Sequence, residues 1–313
     1  MTRAEFIAGD WGTTHLRLYL CDHDGTPLET ASGPGAATAA GQFTAIFASA
    51  TAAWDAQYGK LPTVLCGMVG STIGWIQAPY VPCPARLEDI AEGCTPIETP
   101  RIRIVPGLSC QNRLAAPDFL RGEETQLLGA LNLFEPLRQG QQLVCLPGTH
   151  TKWVTLNDGR VEDFLTAPTG ELFAILRDHS VLARKPPAAS AQHTGATDLE
   201  AIAFEKALTS VVQQPGTQIL HRLFECRSRP LNHEFPAAAA AGYLSGLLIG
   251  SDVQGALRVL PKTSTPSPVV LIGDAQLTKL YATACAAFGL DTHQVAGPAA
   301  SLAGLTEIYR RLS

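Results

Sequence analysis

The sequence predicts an α/β fold in two similarly built domains. Three observations point there. The chain has 313 residues, more than one hydrophobic core comfortably serves. Strand-like and helix-like stretches alternate along it, which is the pattern of α/β proteins. A strand, glycine turn, strand, Asp-Gly turn, strand sequence occurs at the N-terminus and again near residue 148. Hydrophobic residues make up 46% and charged residues 16%, enough apolar material for two cores.

In chain order, Phe6 to Asp10 is a short apolar run, Trp11-Gly12-Thr13-Thr14 a glycine turn, and His15 to Leu20 a strand. Leu16, Leu18 and Leu20 alternate there with larger or polar residues, the period of a strand. Asp24-Gly25 signals a hairpin. Gln42 to Tyr58 reads as a helix, Pro62 to Met68 as an apolar strand with the turn Val69-Gly70-Ser71 after it, Pro79 to Pro84 as a proline-rich loop and Arg101 to Val105 as a strand. Glu123 to Phe134 is helical, with Leu127, Leu128 and Leu131 on one face. Leu143 to Leu146 opens the second copy of the pattern, in which Gly148 and Gly159 stand where Gly12 and Gly25 stand in the first. A helix Gly170 to Leu176 capped by Thr169 follows, then a loop from Lys185 to about Gly195 and helices Asp198 to Val212 and Pro236 to Gly250. A Pro, Ser and Thr loop, Pro261 to Pro268, leads into the apolar strand Val269 to Ile272, which ends at Gly273-Asp274. Helices Leu277 to Phe288 and Ala299 to Leu312 close the chain.

Composition excludes several classes. The net charge is -5, with no basic excess to neutralise a phosphate backbone, so nucleic acid is not an expected partner. The N-terminus carries no apolar signal segment, and the longest weakly polar run, Ala237 to Gly250, is too short to span a bilayer. A cytoplasmic protein without a membrane partner is expected. Eight cysteines are scattered, none as a CxxC pair, which reads as buried thiols of a reducing compartment. Neither GxGxxG nor GxxxxGK[ST] occurs, so dinucleotide-binding and P-loop readings fail.

The two glycine turns are the strongest chemical signal. Glycine lets backbone approach a phosphate closely, and turn N–H groups and Thr hydroxyls can donate to it, which marks Gly12, Thr13 and Thr14 and, in the second copy, Gly148 and Thr149. Either turn alone reads first as an ordinary hairpin; two equivalent turns at the heads of two domains reverse that reading. Asp10 precedes the first and can hold Mg²⁺ through water. Gly273 and Asp274 stand at the end of a buried strand before a helix, the usual ligand edge of an α/β sheet or a plain strand-to-helix turn. Glu123 and Glu124 stand at a helix start, where a carboxylate can take a proton from a substrate hydroxyl or simply favour the helix dipole; Glu123 is slightly the better candidate for the base. Ser71 and Trp75 suit the wall of a carbohydrate pocket, and Trp75 equally suits a core. Arg121, His150 and Lys152 can meet an anionic substrate or phosphate.

The order of these parts resembles the superfamily of acetate and sugar kinases, heat-shock ATPases and actin. The first phosphate motif matches Asp10 to Thr14, the element carrying the catalytic acid Gly122-Glu123-Glu124, the second phosphate motif Leu146 to Lys152, the adenosine motif Val269 to Asp274, and the closing helix Ala300 to Leu312 with Gly304 allowing close packing. Within it the chain resembles the 2-keto-3-deoxygalactonate kinase (2-dehydro-3-deoxygalactonokinase) family through GDWGTTHLRLYL, LCGMVGS, GWIQAPYVPCPA, PDFLRGEETQLLGAL, LPGTHTKWV, AGYLSGLLIGSD and VVLIGDAQL. The second loop, Pro147-Gly148-Thr149-His150, departs from the acidic form usual in the superfamily, which removes a Mg²⁺ carboxylate there and leaves Asp10 as the metal candidate. The resemblance implies two RNase H-like (actin-like ATPase) domains with a nucleotide cleft between them, about 1–138 plus 299–313 and about 140–298. The first would hold the sugar acid and the second the adenosine. It implies ATP and Mg²⁺ as cofactors, the sugar acid's 6-hydroxyl as phosphoryl acceptor, and admits a homodimer. The alternatives are a kinase of another 2-keto-3-deoxy sugar acid, an exopolyphosphatase-like phosphatase, or a nucleotide-binding regulator.

Overall fold

A computed structural model describes residues 3–97, 101–183, 196–261 and 267–313. The loop expected from Lys185 to Gly195, and residues 262–266 of the later one, lie outside the described residues. The chain begins with β1 (Phe6–Trp11), β2 (His15–Cys21), β3 (Pro27–Pro34), α1 (Phe43–Tyr58), β4 (Thr63–Gly67), β5 (Tyr80–Pro82), α2 (Leu87–Glu92), β6 (Thr95–Ile97), β7 (Ile102–Ile104), β8 (Gly107–Gln111), β9 (Pro117–Leu120) and α3 (Glu123–Leu133). It continues with β10 (Gln141–Leu146), β11 (Thr151–Asn157), β12 (Arg160–Ala167), α4 (Thr169–His179), α5 (Ala196–Gln213), α6 (Ile219–Arg222), α7 (Glu225–Leu231), α8 (Ala240–Val259), β13 (Val269–Gly273), α9 (Ala275–Ala287), β14 (Thr292–Ala296) and α10 (Gly297–Leu312).

These strands form a six-stranded sheet of order β3-β2-β1-β4-β7-β6, a five-stranded sheet β12-β11-β10-β13-β14 and a small sheet β5-β8-β9. The small sheet corrects the reading of Pro79 to Pro84 as loop alone: Tyr80, Val81 and Pro82 pair in parallel with Gly107, Leu108 and Ser109. Three residues are too few for a period-2 pattern to emerge. No described helix is long and apolar enough to cross a membrane. All eight cysteines are free thiols.

Two compact units organise the chain: Met1–Gln142 with Val154–Phe164 and Val295–Ser313, and Leu143–Trp153 with Leu165–Gln294. In the first, successive β1 side chains alternate between faces, as strand geometry requires. Ile7 and Trp11 join Leu16, Leu18, Phe43 and Trp54 in a core on the α1 side. Phe6, on the other face, stacks on Tyr309 of α10 with centroids 4.1 Å apart. On that face α10 meets α3 backbone to backbone. A Cβ at Gly129 would stand 1.8 Å from the Ala300 carbonyl oxygen, and one at Gly304 1.9 Å from that of Thr125, so only glycine fits at either place.

In the second unit β10 and β13 run parallel, Val144 beside Val270 and Cys145 beside Leu271. Both strands therefore end at the same edge, and the turns that follow them emerge together. Leu143, Cys145, Trp153, Val269, Leu271 and Tyr281 share one core with residues of α5 and α8.

Candidate active site

In the first unit, the parallel pairing of β1 with β4 sets Asp10 beside Cys66 and Trp11 beside Gly67. Gly67 (φ +90°) and Gly122 (φ +101°) adopt backbone that other residues rarely enter. A Cβ at Gly67 would lie 3.4 Å from Asp10 Oδ1, and one at Gly122 3.4 Å from the Gly67 Cα. These bare approaches bring the end of β1, which carries Asp10, close to the start of α3, which carries Glu123 and Glu124. Asp10 is partly buried, and burial raises its carboxyl above the usual range while the Arg17 charge opposes the rise.

The two glutamates differ in access. Glu124 is 0% exposed. Its Oε2 accepts the Gly122 N–H at 2.6 Å and its Oε1 the Thr125 hydroxyl at 2.9 Å. Burial, and after it the charge of Glu123, pushes its carboxyl up to about 8. Glu123 is half-buried and its Oε2 accepts the Arg121 N–H at 2.9 Å. Cys66, which sequence reasoning passed over, lies among these groups: its buried thiol is pushed far up by burial and then by the Asp10 and Glu124 charges. No local signal marks it, because its neighbours are set by strand pairing.

The Gly12–Thr14 turn closes with the Gly12 N–H donating to the His15 carbonyl at 2.9 Å, and leaves Thr13 and Thr14 exposed. Behind it, the N–H groups of Gly35, Ala36 and Ala37 donate to the carbonyls of Thr14, Gly12 and Thr13. A Cβ at Gly35 would stand 2.3 Å from the Thr13 carbonyl oxygen, so this glycine also belongs to the loop. The Gly-Pro-Gly run around it, residues 33–35, was the available clue.

In the second unit, the Pro147–His150 turn and Gly273 meet at the shared edge of β10 and β13, where a Cβ at Gly273 would be 3.4 Å from the Pro147 carbonyl oxygen. Thr149 is exposed, and its carbonyl accepts the Glu171 N–H at 2.9 Å. His150 is exposed and pairs through Nε2 with Glu171 Oε2 at 2.8 Å. Asp274 is exposed and caps α9, its Oδ1 accepting the N–H groups of Gln276 and Leu277. Thr169 is not the cap expected of it: α4 begins at Thr169 itself, and the hydroxyl donates to Asp252 Oδ2 at 2.8 Å. Next to these turns opens a cavity of about 690 Å³, lined among others by Gly148, Thr169, Gly170, Phe173, Phe204 and Gln276.

A profile of the 2-keto-3-deoxy-galactonokinase family matches residues 10–308. The chain belongs to that family. A relative from Rhizobium meliloti (strain 1021), named for 2-dehydro-3-deoxygalactonokinase, is 40% identical over 100% of this chain and 99% of its own. The Escherichia coli (strain K12) 2-dehydro-3-deoxygalactonokinase is 35% identical over 97% of each. A crystal structure from Sinorhizobium meliloti, assigned to the same activity, superposes with a TM-score of 0.84 at 38% identity, covering 97% of this chain and 98% of that one. An activator of a Clostridium difficile 2-hydroxyisocaproyl-CoA dehydratase with bound ADPNP has a TM-score of 0.51 at 9% identity, covering 99% and 96%, a likeness of fold alone. The α/β fold is that of sugar kinases and actin-like ATPases, as the order of motifs implied.

In a 2-keto-3-deoxy-galactonokinase the remaining expected residues divide. Arg121 and the Gly70-Ser71 turn come together: a Cβ at Gly70 would be 2.8 Å from Arg121 Nη1. Arg121 Nη2 donates to the Ala78 carbonyl at 2.8 Å and its guanidinium lies 4.3 Å over the Tyr80 ring, while Nε and Nη1 are buried without a hydrogen-bond partner. The Ser71 hydroxyl donates to the Met68 carbonyl at 2.8 Å and holds the turn. Trp75 does not join them. Its ring packs on the α1 side against Trp11, Phe43 and Phe47, on the opposite face from Asp10, because its backbone N–H is tied to the Val69 carbonyl. Lys152 is buried within β11, its Nζ donating to Thr166 Oγ1 at 2.8 Å.

Proposed function

We propose that the protein transfers the γ-phosphoryl group of ATP to the 6-hydroxyl of 2-dehydro-3-deoxy-D-galactonate, giving the 6-phosphate and ADP. The family match across residues 10–308 carries this reading. The residues supply a chemically complete account of it. As the acceptor oxygen bonds to the γ-phosphorus, the bond to the β-phosphate oxygen breaks and the hydroxyl proton must leave. Glu123 takes it in this reading, supported by its being only half-buried whereas Glu124 is fully enclosed. Glu124, its carboxyl pushed up to about 8 by burial and then by Glu123, clamps the Gly122 N–H and so holds the start of α3 in place.

One carboxylate plus phosphate oxygens and water is a donor set that Mg²⁺ takes in kinases, and Asp10 beside the exposed Gly12–Thr14 turn fits it. The ion would supply charge neutralisation on the transferring phosphoryl group. We place adenosine in the second unit's cavity, with its phosphates toward the N–H groups of Gly148 and Thr149 and toward Gly273. The sugar-acid carboxylate lies in the first unit at the Gly70-Ser71 turn, where Arg121 contributes positive charge to a chain that is acidic overall. His150 remains a candidate contact of the phosphoryl group once it leaves Glu171, and Lys152 acts through Thr166 behind the loop.

Purified protein given Mg-ATP and a panel of 2-keto-3-deoxy sugar acids tests this through coupled ADP release, with ³¹P NMR to locate the phosphate. Turnover is expected with the galactonate form. ATP binding without turnover on any member of the panel overturns the reading in favour of a nucleotide-binding regulator.

A further inference from the structure

The reaction just described makes no use of Asp252, a carboxylate on α8. Three side chains from three other elements donate to it. Trp153 Nε1 on β11 donates to Oδ1 at 2.9 Å, Thr169 Oγ1 at the start of α4 to Oδ2 at 2.8 Å, and the Tyr281 hydroxyl on α9 to Oδ2 at 2.6 Å. Tyr281 in turn shares a 2.8 Å hydrogen bond with Thr151 Oγ1. No ion pair involving Asp252 occurs among the described residues, so these donors alone balance its charge. Burial raises its carboxyl, and the same three donors oppose the rise. An apolar group is often no less stable than a buried charge, so packing alone does not account for a carboxylate at this position.

The location supplies the account. Thr151 directly follows the Pro147–His150 turn, and Thr169 precedes Gly170, where a Cβ would stand 2.4 Å from the Gly148 carbonyl oxygen. Asp252 therefore ties together both backbone segments that cradle the second phosphate turn. It also fixes proton direction. An ionised carboxylate only accepts and an indole N–H only donates, so Thr169 and Tyr281 must both point their protons at Asp252. Thr169 is among the residues lining the 690 Å³ cavity, and with its proton on Asp252 its hydroxyl has only oxygen lone pairs left to offer.

We infer that Asp252 is a positioning residue for the nucleotide: it sets the Pro147–His150 turn and presents the Thr169 oxygen as an acceptor for a ribose hydroxyl or a metal-bound water. The inference rests on the reading that the second unit's cavity holds ATP. In Asp252→Asn the amide oxygen can still accept from Trp153, but its NH₂ then faces Thr169 and Tyr281, which become acceptors and turn the Thr169 proton toward the cavity. Calorimetric titration of the folded variant with Mg-ATP should show affinity weakened ~10-fold or more, the scale of a hydrogen bond to a charged group. The sugar-acid KM should stay within about twofold. Should that variant not fold, Thr169→Val must show the same loss of ATP affinity with the sugar-acid KM unmoved, a split that a general structural defect does not produce, and Thr169→Ser, which keeps the hydroxyl, must retain affinity. Unchanged ATP affinity in folded Asp252→Asn or Thr169→Val overturns the inference. Ser245→Phe, which fills the cavity away from this network, separates the two failures. If it abolishes ATP binding while Asp252→Asn does not, only the role of Asp252 falls; if it leaves ATP binding intact, the placement of the nucleotide falls with it.

Discussion

Replacing Glu124 by Gln should change how the protein's stability responds to pH. The carboxyl has no solvent exposure and its folded value of about 8 stands above the ordinary 4.5, raised first by burial and then by Glu123. Between those values the folded protein holds a proton that the unfolded chain has released. Stability from this group is thus complete below pH 4.5 and declines as pH rises toward 8. Each pH unit inside that window is worth ~1.4 kcal/mol, so the full climb amounts to roughly 5 kcal/mol, a large part of a typical folding free energy. Gln reproduces the protonated form: its oxygen accepts the Gly122 N–H and its NH₂ faces the Thr125 hydroxyl. Urea unfolding of both proteins at pH 5, 6 and 7, read by tryptophan fluorescence, isolates the effect, since Trp11, Trp54 and Trp75 all lie in the first unit. Other titrating groups, Asp10 and Cys66 included, are common to both proteins. The variant's stability relative to the parent should grow by roughly 3 kcal/mol between pH 5 and pH 7. Parallel stability curves would refute the claim that Glu124 is held neutral.

Glu123→Gln should lower kcat by ~10²-fold or more with little change in ATP affinity, whereas Glu124→Gln keeps most of its activity at neutral pH; the reverse ranking in steady-state kinetics would exchange their roles. Asp10→Asn should raise the Mg²⁺ concentration needed for half-maximal rate by ~10-fold or more, measured by metal titration of ADP release. Gly304→Ala should destabilise by about 1–3 kcal/mol or more, since its Cβ would stand 1.9 Å from the Thr125 carbonyl oxygen and must push α10 off α3; an unchanged Tm would show that the helices separate freely. Gly35→Ala, with a Cβ 2.3 Å from the Thr13 carbonyl oxygen, should displace the first turn and raise the KM for ATP more than that for the sugar acid.

Local signals carried the elements of this protein but seldom the partners of its side chains. The glycine turns at Gly12 and Gly148, the apolar strand before Gly273 and the acidic start of α3 were legible because turn chemistry and periodicity act over a few neighbouring residues. The order of those parts was enough to imply the fold. Short β5 escaped because three residues cannot display a period.

What happens to each side chain was decided at long range. The sequence separates Glu123 from Glu124 only slightly, and the packing around the start of α3 encloses Glu124 while Glu123 stays half-buried. Trp75 suits a sugar pocket or a core equally well until Trp11 and Phe43 claim its ring. That the Asp274 carboxylate also caps α9 shows only once the helix is formed. Asp252 closes the phrase AGYLSGLLIGSD, yet nothing in that phrase shows what its carboxylate does, and its donors Trp153 and Thr169 lie 99 and 83 positions away in the chain. A backbone conformation is chosen by its immediate neighbours. The access, charge and proton direction of a side chain depend on whatever packs around it, and only the tertiary structure supplies that.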